Sequence, residues 1–272
     1  MATAFICTAC GTQYPPGEAP PLTCPVCQDE RQFIPETGQG WTDPETLARH
    51  HRPVLKLEHG LLGLGCTPDF AIGQRALLLR AAGGNILWDC VAFLDETLVA
   101  LIRAFGGLSA IAISHPHYYT TMLEWSRAFG GIPIHLHAAD REWVMRPGPE
   151  ILFWEGETRR IAPGITLIRA GGHFPGGTVL HAAEANEGRG ALLAGDILQV
   201  VADRRHLGFM RSYPNLVPLG EAAVRGIGTA LEPWSFESVH GAFWGRVIPT
   251  GGKQAVRASI GRHIAALQRP WP

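Results

Sequence analysis

No apolar run in this sequence reaches the roughly 18 residues that would span a bilayer. Stretches such as Arg75–Arg80 and Ala110–Ser114 are short and interrupted. An excess of charge is missing too: 23 basic and 24 acidic side chains leave a formal charge of -1, which removes any bulk attraction toward nucleic acid or an anionic membrane. The opening Met1-Ala2-Thr3-Ala4-Phe5-Ile6 has no basic region and only a brief apolar stretch, and so reads as a poor signal peptide. No internal repeat or low-complexity tract stands out. Together these absences lead us to expect a soluble cytoplasmic protein whose partner is a small-molecule substrate. No nucleic acid or membrane partner is expected, and a homo-oligomer is left open.

What the chain does have is an apolar fraction of 46% over 272 residues, enough for one large domain or two unequal ones at roughly 100–200 residues per domain. Four of its six cysteines fall in two close pairs, Cys7-Thr8-Ala9-Cys10 and Cys24-Pro25-Val26-Cys27. In a reducing compartment such spacing favours metal ligation over disulfides. The stretch between the pairs, from Gly11 to Pro21, is rich in turn residues and cannot form a core unaided. Four thiolates make a closed tetrahedral site, structural rather than catalytic, and zinc is favoured over iron. Zinc ribbons often bind nucleic acid, yet residues 1–33 carry one arginine against Glu18, Asp29 and Glu30, the wrong sign for phosphate. Docking or stabilisation is the expected role. Cys66 and Cys90 stand alone and read as small buried hydrophobes.

Three segments follow from this pass: a four-cysteine module at 1–33, a Pro- and Gly-rich linker at 34–52, and a main domain at 53–272. Ala76–Arg80 and Ile86–Trp88 predict a hairpin around Gly83-Gly84-Asn85. Leu94, Leu98, Leu101, Ile102 and Phe105 recur at helical spacing before the apolar run Leu108–Ile113, so the sheet turns partly parallel there. Helices are expected near 120–129, 138–144, 218–231 and 252–268, and strands near 132–136, 165–169, 178–181, 191–194 and 236–239. Residues 142–160, with Trp143, Met145, Phe153 and Trp154, read either as a loop that shapes a pocket or as packing against the sheet or the cysteine module.

Metal-competent side chains follow several of these strands: Asp89, His115 and His117, His173, Asp196 and His240. Sites in open α/β sheets gather at the carboxyl ends of strands. A lone His-x-His is weak evidence, because such pairs are more often surface or structural residues. The combination of all five contexts points to a metal site.

On these residues the chain resembles the metallo-β-lactamase superfamily, whose pattern is H-x-H-x-D-H, a later His in a glycine-rich loop, an Asp after a strand and a last His. The matching stretches are His115-Pro116-His117-Tyr118-Tyr119-Thr120, Gly171-Gly172-His173-Phe174-Pro175-Gly176, Gly195-Asp196 and His240, spread over about residues 53–272. The resemblance implies an α/β fold, a four-layer αββα metallo-β-lactamase sandwich with a small N-terminal zinc ribbon. It implies that His115, His117 and His173 hold a metal with Asp196 as a further ligand, and that Asp89 supports the site from behind. It also exposes a departure. Tyr119 and Thr120 stand where the family places an Asp and a His for a second metal, so a single catalytic ion, zinc with iron as the alternative, is expected beside the structural zinc of the cysteines. Catalysis would then rest on His240, Asp196 and Tyr119, unless Tyr119 merely fills the vacated space. The implied activity is hydrolysis of a small ester, thioester, lactone or phosphoester. The rival readings are a non-catalytic binding or scaffold protein on the same fold, and a mononuclear iron dioxygenase. Arg204, Arg205 and Arg211 could meet a substrate anion or stay solvated.

Overall fold

The computed structural model describes residues 2–81 and 83–269, and its contacts divide the chain into two units, Met1–Trp154 and Glu155–Pro272. Among the described residues no helix is long and apolar enough to cross a membrane.

In the first unit a seven-stranded sheet runs in sequence order: β1 (Arg52–Glu58), β2 (Leu61–Thr67), β3 (Ala76–Leu79), β4 (Asn85–Trp88), β5 (Leu108–Ala112), β6 (Ile134–His137) and β7 (Ile151–Trp154). The first four strands form an antiparallel meander, and from β4 onward the pairing is parallel. A parallel step needs a crossover. The helix Glu96–Ala104 supplies the one between β4 and β5: Asp95 caps it by accepting from the Leu98 N–H at 2.7 Å, and Leu98 and Ile102 are its buried face. The helix Met122–Ala128 makes the next crossover, burying Met122, Leu123 and Trp125. Strands β3, β4 and β6 are buried along their whole length, as parallel or central strands must be when both faces are covered, while β1 is a half-exposed edge.

Ahead of the sheet, Ile6–Cys7 pairs with Trp41–Thr42, a helical turn spans Pro25–Gln28, and a helix spans Pro44–His50, capped by Asp43 on the Thr46 N–H at 2.8 Å. The sequence predicts neither the β1–β2 hairpin nor strands within 142–160. The structure places β7 in that stretch, and Trp143 and Met145 pack against the cysteine core.

The second unit holds a six-stranded sheet, β8 (Thr158–Ala162), β9 (Ile165–Arg169), β10 (Thr178–Ala182), β11 (Ala191–Gly195), β12 (Ser238–Gly241) and β13 (Val247–Ile248), again in sequence order, and between β11 and β12 two short ribbons, Gln199–Val200 with Leu207–Gly208 and Met210–Ser212 with Val217–Pro218. All pairings are antiparallel except β11 with β12, where Leu193 stands opposite His240. That one parallel pair brings the segment after β11 beside the segment in β12, across a crossover containing the helix Glu221–Leu231. The core joins Val179 and Leu192 of the sheet to Val224, Ile227 and Leu231 of this helix and Val256 of the final helix, Gly252–Gln268. Each such side chain contributes about 1.5–3 kcal/mol by leaving water. His240 lies inside β12 rather than beyond a strand ending at Val239.

Candidate metal centre

The four paired cysteines come together in the first unit. Cys7 Sγ lies 3.6 Å from Cys27 Sγ, Cys10 Sγ lies 3.6 Å from Cys24 Sγ, and all four sulfurs are within 4.8 Å of one another. A disulfide needs about 2.05 Å, so these are free thiols. Tetrahedral bonds of about 2.3 Å would put sulfurs about 3.8 Å apart, so the set fits a metal ion. Crowding pushes the thiols apart in acidity: Cys10 holds Cys7 far down by hydrogen bonding, and Cys24 does the reverse to Cys10. Gln39 Nε2 donates to Cys7 Sγ at 3.0 Å. Tyr14, Val26, Trp41, Ile72, Trp143 and Met145 close round the sulfurs, and the Arg31 guanidinium lies 5.2 Å from the centre of the Trp143 ring.

The first unit also carries His115 and His117, in the turn that follows β5. Pro116 starts that turn, and both imidazoles are buried with their ligand nitrogens within 4.8 Å of each other. Asp89 takes a left-handed φ of 59° directly after β4, which Asp tolerates better than most residues. From there its Oδ1 accepts from the Ser114 N–H at 2.7 Å, and Ser114 Oγ lies 2.9 Å from His115 Nδ1. With Nδ1 held in this way, Nε2 is the nitrogen placed to coordinate a metal. Sequence reasoning gave Ser114 no role, although it sits in the motif itself.

The second unit presents its own polar set. His173 is buried in the loop after β9, its Nδ1 3.1 Å from the Met210 carbonyl, which fixes Nε2 as its lone-pair nitrogen. Phe174 packs edge-on to that ring at 5.2 Å, and Tyr213 lies at 5.7 Å. Asp196 follows β11 directly, and the Tyr213 hydroxyl donates to its carbonyl at 2.7 Å. His240 is buried with Nε2 3.1 Å from Ser238 Oγ. Neither Met210 nor Tyr213 was visible as a contributor in the sequence, because one acts through its carbonyl and the other binds main chain. Arg204 and Arg205 are exposed, next to an Asp203 that accepts from the Arg205 N–H at 2.8 Å.

Tyr119 and Thr120, the two departures from the family pattern, are both buried. Burial, with the charge of Asp140 added, pushes the Tyr119 phenol well up, so it stays neutral. Thr120 takes a left-handed φ of 37°, and a Cβ placed on Gly11 would come within 3.3 Å of its methyl group. Its side chain therefore faces the cysteine module.

No family profile matches the chain. A protein of Bacillus subtilis (strain 168) named Uncharacterized protein YmaE is 44% identical over 266 residues, covering 97% of this chain and 96% of its own length. Among solved structures, DIM-1 metallo-beta-lactamase superposes with a TM-score of 0.60 at 15% identity, over 79% of this chain and 98% of its own. A motif mutant of the metallo-beta-lactamase from Cronobacter sakazakii superposes with a TM-score of 0.51 at 19% identity, over 80% and 95%.

The chain belongs to the YmaE family and has the metallo-β-lactamase fold. It carries a cysteine group whose sulfurs are placed to hold a metal, and a buried histidine pair, His115 and His117. The fold class is the one that the sequence resemblance implies.

Proposed function

We propose that this protein is a metal-dependent hydrolase with one catalytic ion, held by His115, His117 and His173 with Asp196 as fourth ligand, and a structural zinc in Cys7, Cys10, Cys24 and Cys27. The observation that carries the reading is the buried His115–His117 pair, aligned through Ser114 and Asp89 at the carboxyl end of a parallel strand. A bound zinc would supply a water of near-neutral pKa and polarise a carbonyl or phosphoryl oxygen. The protein's own groups would do the rest. Ser114 and Met210, holding Nδ1 of His115 and of His173, would leave each Nε2 to ligate the ion. Ser238 fixes the His240 ring, from which a proton would pass to the leaving oxygen or sulfur of a small ester, thioester, lactone or phosphoester. Tyr119, its phenol pushed well up by burial, would stand where the resemblance places a carboxylate, with a hydroxyl able to donate or accept a hydrogen bond.

Metal analysis joined to a hydrolysis panel tests this. We expect about two zinc ions per chain and turnover of at least one of the four substrate classes, both halved or abolished by His115→Ala. Iron in the histidine site would favour the dioxygenase reading, and a fully loaded chain inert on the whole panel would favour the scaffold.

A further inference from the structure

The cysteine module does more than cap its own sulfurs. Gln13 follows Cys10 by three residues and is almost fully buried, its position set by the first knuckle: the Cys7 N–H donates to the Thr12 carbonyl at 2.9 Å, the Gly11 N–H to the Cys7 carbonyl at 2.9 Å, and the Tyr14 N–H to the Phe5 carbonyl at 2.9 Å. From this position the Gln13 N–H donates to the Thr120 carbonyl at 3.2 Å. Its side-chain Nε2 donates to Glu124 Oε1 at 3.2 Å, and Arg146 donates both to Gln13 Oε1 and, at 2.6 Å, to Glu124. Gly11, with φ of 80°, lies so near that a Cβ added to it would come within 3.3 Å of the Thr120 methyl group and 3.4 Å of Ala92 Cβ.

Thr120 needs that hold. A β-branched residue in the left-handed region is strained by on the order of 1–3 kcal/mol and persists only where its surroundings fix it. On its far side the next residue is pinned, Thr121 Oγ1 donating to the Ala92 carbonyl at 3.0 Å, with Trp125 Nε1 on the Val91 carbonyl at 2.8 Å. The segment from His115 to Trp125 is thus held at its end by β4's outgoing loop and at Thr120 by the cysteine knuckle.

We propose that the cysteine module positions the histidine loop, with Gln13 as a positioning residue that acts through Thr120 and Glu124 on His117 and His115. The inference rests on the reading of those histidines as metal ligands. Its consequence is that the state of the cysteine cluster is felt at the histidine pair without a shared ligand: loss of the cysteine-bound ion frees Gln13, Thr120 relaxes, and the two imidazoles lose their common aim.

The test uses the full chain and measures zinc affinity at the histidine site by chelator competition, with cysteine-site occupancy and melting temperature read alongside. Gln13→Ala, which removes the grip on Glu124 and Arg146, and Gln13→Pro, which removes the N–H given to Thr120, should each weaken histidine-site zinc by about tenfold or more. Gln13→Ala should keep its cysteine zinc. Cys24→Ser should weaken the histidine site as well, and combining it with Gln13→Ala should add less than the product of the two losses, because both act through one link. Val256→Ala, in the final helix, should lower the melting temperature without moving that affinity. An unchanged histidine-site affinity in Gln13→Ala, with the parent binding zinc there, overturns the coupling alone. A parent that binds no zinc through His115 and His117 overturns the coupling together with the metal reading beneath it. Should Gln13→Pro fail to fold, Gln13→Ala still decides.

Discussion

Asp89 Oδ1 accepts from the Ser114 N–H at 2.7 Å, so the end of β5 that carries His115 is tied to the end of its parallel neighbour β4. Removing the carboxylate in Asp89→Ala should lower metal affinity at the histidine pair by about 10–100-fold. Asp89→Asn keeps an oxygen acceptor and tolerates the left-handed φ of 59°, so its loss should be much smaller. Isothermal titration of the two variants with zinc orders them, and equal losses would mean that charge rather than the Ser114 bond is what matters.

Cys24→Ala removes one of four sulfurs and should cost about one zinc per chain while loosening the segment before β1. Limited proteolysis reads this directly: cleavage within residues 2–40 should quicken, and the strands β1–β7 should stay protected. Parent-like resistance of that segment would show that its packing on Trp143 and Met145, not the metal, holds it down.

Thr120→His supplies the imidazole that the family pattern has at this position, but here the Thr120 methyl faces Gly11. Overpacking there should destabilise by roughly 1–3 kcal/mol, and Tyr119→Asp combined with it should bind no third ion. Urea unfolding and metal counting measure both halves. A third equivalent of zinc in the double variant would show that the module yields easily.

His181, in β10, is pressed against the Ser235 carbonyl at 2.7 Å, and burial holds its pKa below the ordinary 6.5. Its neutral form is the folded one, so its contribution is fully present above pH 6.5 and is lost as pH falls through the lowered value, where the unfolded chain takes up more protons. His181→Gln should flatten this part of the acid limb. Urea midpoints at pH 7.5 and pH 5 should differ less in the variant than in the parent, and an unchanged difference would assign the acid sensitivity to other groups.

The long periodic elements were legible in the sequence: the final helix at 252–268 matches its apolar spacing end to end, and the β4–β5 crossover was visible as a helix between two apolar runs. The β1–β2 hairpin was not. β1 is a half-exposed edge with little alternation, and β2 carries Gly63 and Gly65 among its leucines, so neither has a clean period of two. The strands β7 and β8 were hidden likewise, β8 exposing Thr158, Arg159 and Arg160. In the candidate site, the residue types and their strand-end positions could be read, but their supports could not. Gln13 to Thr120 and Tyr213 to Asp196 are contacts made to main-chain carbonyls, which no residue type announces.

The order of the two units along the chain bears on how metal would reach the proposed sites. Ser114 and Asp89, which align His115, lie within Met1–Trp154 together with the cysteine knuckle. On the ribosome these groups emerge first, and the chain through Pro272 takes on the order of ten seconds more at about 5–20 residues per second. During that interval the nascent protein offers four thiols and two aligned imidazoles but neither His173 nor Asp196. A two-histidine chelate takes divalent ions in the general affinity order, copper ahead of zinc. On the proposed reading, the ion of the complete histidine site would be set by exchange once synthesis has ended, whereas the cysteine cluster would be able to take its own ion while the chain is still being made.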